Sequence, residues 1–312
     1  MLELVFSALA FAALWAAMWG VSDVSSALTL LLAIPTAGFM VRLFMIQHDC
    51  GHGAFFKSRL ANDWIGRFIS VFTLTPYDFW RQSHAMHHAG VGNLDRRGIG
   101  DIDMLTVREF QALRRHGRLR YRLYRNPLVM FGLGPAYLFL FRNRLPFGAM
   151  RSGAMPWIST MLTNLATVAV AGAVISAVGA GTFLAIQIPV VMIGASIGVW
   201  LFFVQHQFER TYWEHQTDWS HPEAALHGSS FYDLPRLLMW ITGNIGIHHL
   251  HHLSSRIPFY NLPKALADHP QLRHVGRLTL RQSLGCARLS LWDEDTRRLV
   301  SFAEARAARA TV

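Results

Sequence analysis

Between residues 244 and 252 the chain reads Asn-Ile-Gly-Ile-His-His-Leu-His-His, which crowds His248, His249, His251 and His252 into one short stretch. Neutral imidazole is a good ligand for first-row transition metals. On a helix, residues three and four apart share a face. His248, His251 and His252 are therefore expected to point one way, with His249 rotated off. Two more groups repeat the theme: His48 and His52 spaced H-x3-H, then His84, His87 and His88 spaced H-x2-H-H like the last group. Eight histidines on three elements exceed the four ligands that fill a tetrahedral zinc site. They suit two five- or six-coordinate metals with open positions. All-nitrogen coordination is compatible with iron, and a pair of irons can activate dioxygen. The first group is not H-E-x-x-H, so a zinc metalloprotease is poorly supported.

Other residues join these groups with less force. His206 lies just past an apolar run, at the same kind of boundary as His52, and is the candidate ninth ligand. A plain interfacial histidine is its alternative. Asp49 is rotated off the His48–His52 face and is a candidate partner for an imidazole N–H. Asn244, one helical turn before His248, either holds a metal-bound water or caps the helix. His227 and His249 are weaker candidates. His116, His215, His221, His269 and His274 read as ordinary surface or loop residues.

The elements that must position these side chains are apolar. Hydrophobic residues make up 52% of the 312, charged residues 15%, and the mean hydropathy is +0.25. Soluble domains carry roughly a quarter charged residues, so the composition points to a membrane protein. Runs 4–20 and 27–46 are each near the roughly 20 residues that cross a bilayer, and their short link makes a hairpin. Runs 157–179 and 182–204 make a second hairpin. The first run has no basic residues before it, so it is not read as a cleaved signal peptide. Cys50 and Cys286 offer no disulfide framework. The 29 Lys and Arg residues avoid 1–41 and 157–209 altogether. Basic loops stay cytoplasmic, so both basic regions, all three histidine groups and both termini are expected on that side. The fold class is thus an all-α integral membrane protein, with four transmembrane helices in two hairpins and a cytoplasmic helical cap carrying the histidines. Residues 1–290 form the single domain and 291–312 a charged, peripheral tail. Segment 64–76 reads as re-entrant or interfacial. Segment 128–141, following the basic run 114–125, reads as an amphipathic stretch on the membrane surface. Arg114, Arg115, Arg118, Arg120, Arg122 and Arg125 are a candidate dock for an acidic donor or anionic lipid, beside their part in fixing topology. No nucleic-acid partner is expected.

In order along the chain, HDCGHGAFF (48–56), TPYDFWRQSHAMHH (75–88), GNLDRRGIGDIDMLTVREF (92–110), QHQFERTYW (205–213), HGSSFYDLP (227–235) and GNIGIHHLHHLSSRIPFYNLP (243–263) resemble the membrane-bound fatty acid desaturases, in particular the acyl-lipid Δ12/ω-3 branch. The likeness covers roughly residues 40–290. It implies a non-haem di-iron enzyme that uses O2 and two electrons to leave a cis double bond in a lipid acyl chain, in a Δ12/ω-6-like position. The ligands it implies are His48, His52, His84, His87, His88, His248, His251 and His252, with His206 as an extra one and Asn244 as a looser carry-over. Asp49 and Gly53 stand where plant members often have Glu and His, which bears on regiospecificity. No His-Pro-Gly-Gly segment is present, so a fused cytochrome b5 domain is not expected. A separate, ferredoxin-like donor in a bacterial inner membrane is.

A methylene C–H is not acidic, so acid–base side chains cannot break it and the metal with dioxygen must do the hard step. The same centre can hydroxylate, epoxidise or ketolate a lipid or carotenoid, and histidine counting does not separate these outcomes. A His-rich metal transporter is a distant third reading, because transporters place ionisable groups at mid-membrane and these apolar runs hold almost none.

Overall fold

The computed structural model describes residues 1–310 apart from Ile99; the tail residues Thr311 and Val312 lie outside the described residues. Four helices are long and apolar enough to cross a membrane: α1 (Leu2–Ser22), α2 (Ser26–Gly51), and the later pair Ala154–Val178 and Ala180–His206. They match the expected runs but extend them. The helix Ser26–Gly51 carries on through His48, and the last residue of Ala180–His206 is a histidine.

The chain divides into two compact units. The first comprises residues 1–82, 132–198 and 240–243. It holds α1, α2, the amphipathic helix α3 (Arg59–Thr73) and the beginning of α4 (Tyr77–Gly90). The segment expected to be re-entrant or interfacial is α3. Leu60, Trp64 and Phe68 recur every four residues and are exposed, while Gly66, Ile69 and Ser70 face inward. This one-sided apolar stripe is the pattern of a helix lying in a membrane interface. Arg42 on α2 is buried, ion-paired with Glu3, bonded to the Trp240 carbonyl and stacked 4.5 Å from the Trp240 ring. A charge within a span requires such partners.

The second unit comprises residues 83–131, 199–239 and 244–312. Its helices include α5 (Val107–Ala112), α6 (Arg115–Tyr124) and, beyond the membrane pair α7 (Ala154–Val178) and α8 (Ala180–His206), α9 (His221–His227) and α10 (His248–Leu253). Two small sheets supplement the helices. One runs β1 (Leu105–Thr106), β4 (Leu289–Asp293), β5 (Arg298–Ser301); the other pairs β2 (Phe231–Asp233) with β3 (Arg277–Thr279) in parallel. The stretch after 290, expected as a peripheral tail, therefore begins as a structural hairpin. Leu291, Trp292, Leu299 and Val300 are buried against Leu94, Met104, Phe110 and Tyr121. The charges of this stretch cluster in the turn, at Asp293, Glu294, Asp295, Arg297 and Arg298, and had masked the short apolar strands on either side.

Segment 128–141 is neither a regular surface helix nor a loop. Wide π-type turns at Val129–Leu133 and Tyr137–Phe141 flank Gly134–Ala136. Pro135 lacks an N–H and crowds the preceding turn, and a widened helix accommodates it.

One close approach fixes the entry to α10. The Tyr232 N–H donates to the Gly246 carbonyl at 2.7 Å, and a Cβ on Gly246 would stand 2.3 Å from the Tyr232 carbonyl oxygen. Only glycine fits two residues before His248. Gly246→Ala is expected to cost about 1–3 kcal/mol by overpacking and to lower bound metal, read by thermal unfolding and metal analysis of the same preparation. An unchanged midpoint would contradict the close-contact account.

Candidate metal centre

Each histidine group sits where a helix ends or begins. His48 lies in the last turn of α2 and His52 is its C-cap, with ring centroids 4.7 Å apart. The His48 Nδ1–H donates to the Asp49 carboxylate at 3.2 Å, which makes Nε2 the ring's ligand nitrogen for a metal.

Within the second unit, His87 on α4, His206 at the end of α8, and His248 and His252 on α10 bring one nitrogen each to within 4.8 Å of one another. All four residues are buried. The Nε2–Nε2 separations are 3.1 Å for His87–His206, 3.0 Å for His206–His248 and 3.1 Å for His248–His252. A second convergence brings His84 and His88 to 3.1 Å and His88 and His251 to 3.2 Å. The sequence placed His248, His251 and His252 on one face. The structure divides them: His248 and His252, four apart, stay together, and His251 joins His84 and His88. The second group divides the same way, with His87 leaving the His84–His88 pair. Four residues advance a helix by about 400°, three by about 300°. The i,i+4 pairs therefore stay close while the odd histidine swings to the other convergence.

The tautomers can be assigned from partners that accept only. The His206 Nδ1–H donates to the Gly228 carbonyl at 3.1 Å. The His87 Nδ1–H donates to the Asp101 carboxylate. In the neutral form that a metal ligand requires, both rings carry a lone pair on Nε2, and those two nitrogens face each other at 3.1 Å. Lone pair against lone pair is repulsive unless a cation lies between them. Nitrogens about 2.1 Å from one ion have neighbours about 3 Å apart, as here. Burial in an apolar surround, followed by the positive charge of neighbouring histidines, holds the His252 imidazole well below its ordinary pKa. It is neutral at physiological pH, as a ligand must be. The donor set, buried and all-nitrogen, fits a transition metal.

The remaining candidates separate cleanly. The His249 ring turns away, its Nε2–H donating to the Leu272 carbonyl at 3.0 Å, and burial pushes its pKa down to about 4. His227 is exposed and pairs with Glu223, and His215 is exposed beside Asp95. Asn244 does not cap α10, whose N-cap is Ile247. It is a turn residue with φ of 51°, and its amide nitrogen donates to the Phe259 carbonyl at 3.2 Å. Sequence reasoning missed Asp101 and the Gly228 carbonyl. Asp101 was visible inside the GDID run but had no helical spacing to tie it to His87. A backbone carbonyl leaves no signal at all.

Comparison with known proteins gives these histidines their setting. The family model described as fatty acid desaturase matches residues 25–282. The chain belongs to the fatty acid desaturase family. It is 48% identical over 302 residues to a fatty acid desaturase of Bacillus subtilis, covering 97% of this chain and 85% of that protein. It is also 29% identical over 238 residues to the sn-1 oleoyl-lipid 12-desaturase of Synechocystis, and 29% over 243 residues to the sn-1 acyl-lipid omega-3 desaturase (ferredoxin) of Nostoc. The matches span 62% of each of those two proteins. The protein is thus an enzyme, a membrane desaturase with a histidine-built metal site.

Asp101 is a positioning residue for His87 and does not itself reach the cluster. Asp101→Asn keeps its size but loses the charge that fixes the tautomer. Such partners of metal-bound histidines are each worth about 10–100-fold in metal affinity. Metal titration of the purified variant is expected to show a loss of that size without a change in fold, and unaltered affinity would remove Asp101 from the site.

Proposed function

We propose that this desaturase introduces a cis double bond into the acyl chain of a membrane glycerolipid, with two iron ions, O2 and electrons from a separate ferredoxin-like donor. The observation that carries the reading is the convergence of the buried His87 and His206 Nε2 atoms, completed by His248 and His252. The proposed ligand set is His48, His52, His84, His87, His88, His206, His248, His251 and His252. Bound iron would activate O2, the oxidant that an unactivated C–H bond requires. The chain's own side chains orient and desolvate. Asp101 and the Gly228 carbonyl hold protons on the Nδ1 atoms, and Phe202 packs 5.1 Å from the His87 ring and 5.2 Å from His206, which keeps water off both.

A lipid acyl chain is favoured by the first unit. It encloses a cavity of about 640 Å³ lined by α1, α3, α7 and α8 side chains, among them Phe11, Phe72, Val170 and Phe183. This lies within the roughly 300–1,000 Å³ of small-molecule sites. Leu43, at its edge, lies five residues before His48 on the same helix, about 7.5 Å along the axis. The glycerolipid carrier and a Δ12-type position draw on the printed names of the cyanobacterial relatives. The ferredoxin-like donor draws on the Nostoc relative.

Expression in a bacterium with a matched ferredoxin system is expected to yield a new unsaturated acid in total lipids, and its double-bond position reads the regiospecificity. His87→Ala or His251→Ala is expected to abolish the product and lower bound iron while the protein stays in the membrane. Full activity in both variants would sink the ligand assignment. A hydroxylated or keto product would assign the same site to oxygen insertion.

We place the enzyme in a bacterial inner membrane; a cytoplasmic active site is supported by the absence of basic residues from 1–41 and 157–209. A reporter fused after Val312 is expected to read cytoplasmic. A periplasmic readout would invert the proposed orientation.

A further inference from the structure

Helix α6 carries a face that neither the metal site nor the fold uses. Its inner side is anchored: the Tyr121 hydroxyl donates to the Ser290 carbonyl at 2.7 Å and accepts from the Leu105 N–H at 3.1 Å, and the Tyr124 hydroxyl accepts from the Asp103 N–H at 3.0 Å. That fixes which side faces out. Arg115, Leu119 and Leu123 recur every four residues on the outer side and so form one stripe. Leu119 is 60% exposed and Leu123 55%. Arg118 and Arg122 border the stripe on one edge, His116 and Arg120 on the other. Arg118 and Arg122 are partly spent on the protein, Arg118 on the Leu113 carbonyl and Arg122 against the Phe110 and Phe302 rings. Arg115 and Arg120 are exposed and enter no ion pair among the described residues. The sequence explains why: no Asp or Glu occurs from Gln111 to Phe208.

Two exposed leucines framed by uncompensated guanidinium groups complement an amphiphile, with apolar tails beneath and negative charge at the level of the arginines. Chain continuity selects the source of that charge. Only Arg125, Asn126 and Pro127 separate α6 from Leu128, which is 82% exposed and opens the apolar segment 128–141. A helix joined so closely to lipid-compatible chain lies at a membrane boundary, where leucines insert and arginines meet headgroups.

We propose that the outer face of α6 is a binding site for anionic phospholipid, with Leu119 and Leu123 among the acyl chains and Arg115 and Arg120 on headgroup phosphates. The enzyme thereby takes a negatively charged lipid in preference to a zwitterionic one at this face. Nothing in this inference requires the desaturase chemistry, so the two stand or fall separately.

The test uses the full-length protein in nanodiscs of equal parts phosphatidylglycerol and phosphatidylcholine, followed by gentle delipidation and native mass spectrometry of the lipids retained. Wild type is expected to keep phosphatidylglycerol in excess. Each arginine near an anionic surface is worth roughly fivefold, so Arg115→Gln/Arg120→Gln is expected to weaken that preference about twenty- to thirtyfold. Leu119→Gln/Leu123→Gln is expected to reduce retention of both lipids without reversing the preference. Equal retention of the two lipids by wild type, or an unchanged preference in the arginine variant, would overturn the proposal. A third measurement names the rival occupant. If the arginine variant keeps its lipid preference while its KM for an acidic ferredoxin rises and becomes insensitive to salt, the face docks a protein instead.

Discussion

An imidazole can bind a metal through one nitrogen only if the proton on the other is held in a fixed place. Much of the second unit serves that constraint. Asp101 holds the proton of His87, the Gly228 carbonyl holds that of His206, and burial keeps His252 neutral. The carbonyl partner exists because the chain turns after α9, where the Gly228 N–H bonds back to the Ala224 carbonyl at 2.8 Å. A Cβ on Gly228 would stand 2.6 Å from that same carbonyl oxygen. A small residue after a short helix, far in sequence from any histidine group, thus decides which nitrogen of His206 faces the cluster.

The apolar helices answer a different need. Oxidising a methylene group demands a site without competing water or easily oxidised neighbours, and a substrate with no polar handle at the reacting carbon. Apolar lining supplies both, at the cost of leaving few groups to fix orientation. Several of the polar exceptions find partners within the unit. The Trp15 indole donates to Gln187 at 3.1 Å, and Thr73 to Gln47 at 2.6 Å. In hydrocarbon, each such group left unmet costs several kcal/mol.

Residue spacing and apolar run length made the four membrane helices, the histidine groups and the extra candidate His206 legible, because helical period and bilayer thickness act on local sequence. Three things were not. The division of each H-x2-H-H group depends on how two helices approach, which one helix cannot reveal. The hairpin at 289–301 was hidden by the charges clustered in its turn at 293–298, since its apolar residues matter only beside Phe110 and Tyr121. Asp101 lies fourteen positions after His87, beyond the end of α4, and no helical spacing ties the two. Asn244 misled in the opposite way. Its position before His248 looked helical, yet its left-handed φ belongs to a turn.

The divided doublets have a mechanical consequence. His87 and His88 are chain neighbours, as are His251 and His252, yet each pair sends one ring to each convergence, and the rings of His88 and His252 stack at 4.0 Å. An ion that fixes His87 and His252 also fixes the backbone that presents His88 and His251. The ordering entropy of the second convergence is then partly spent before its ion arrives. Metal loading of such a frame is expected to be cooperative: a partly loaded population would divide into full and empty molecules more than into half-filled ones.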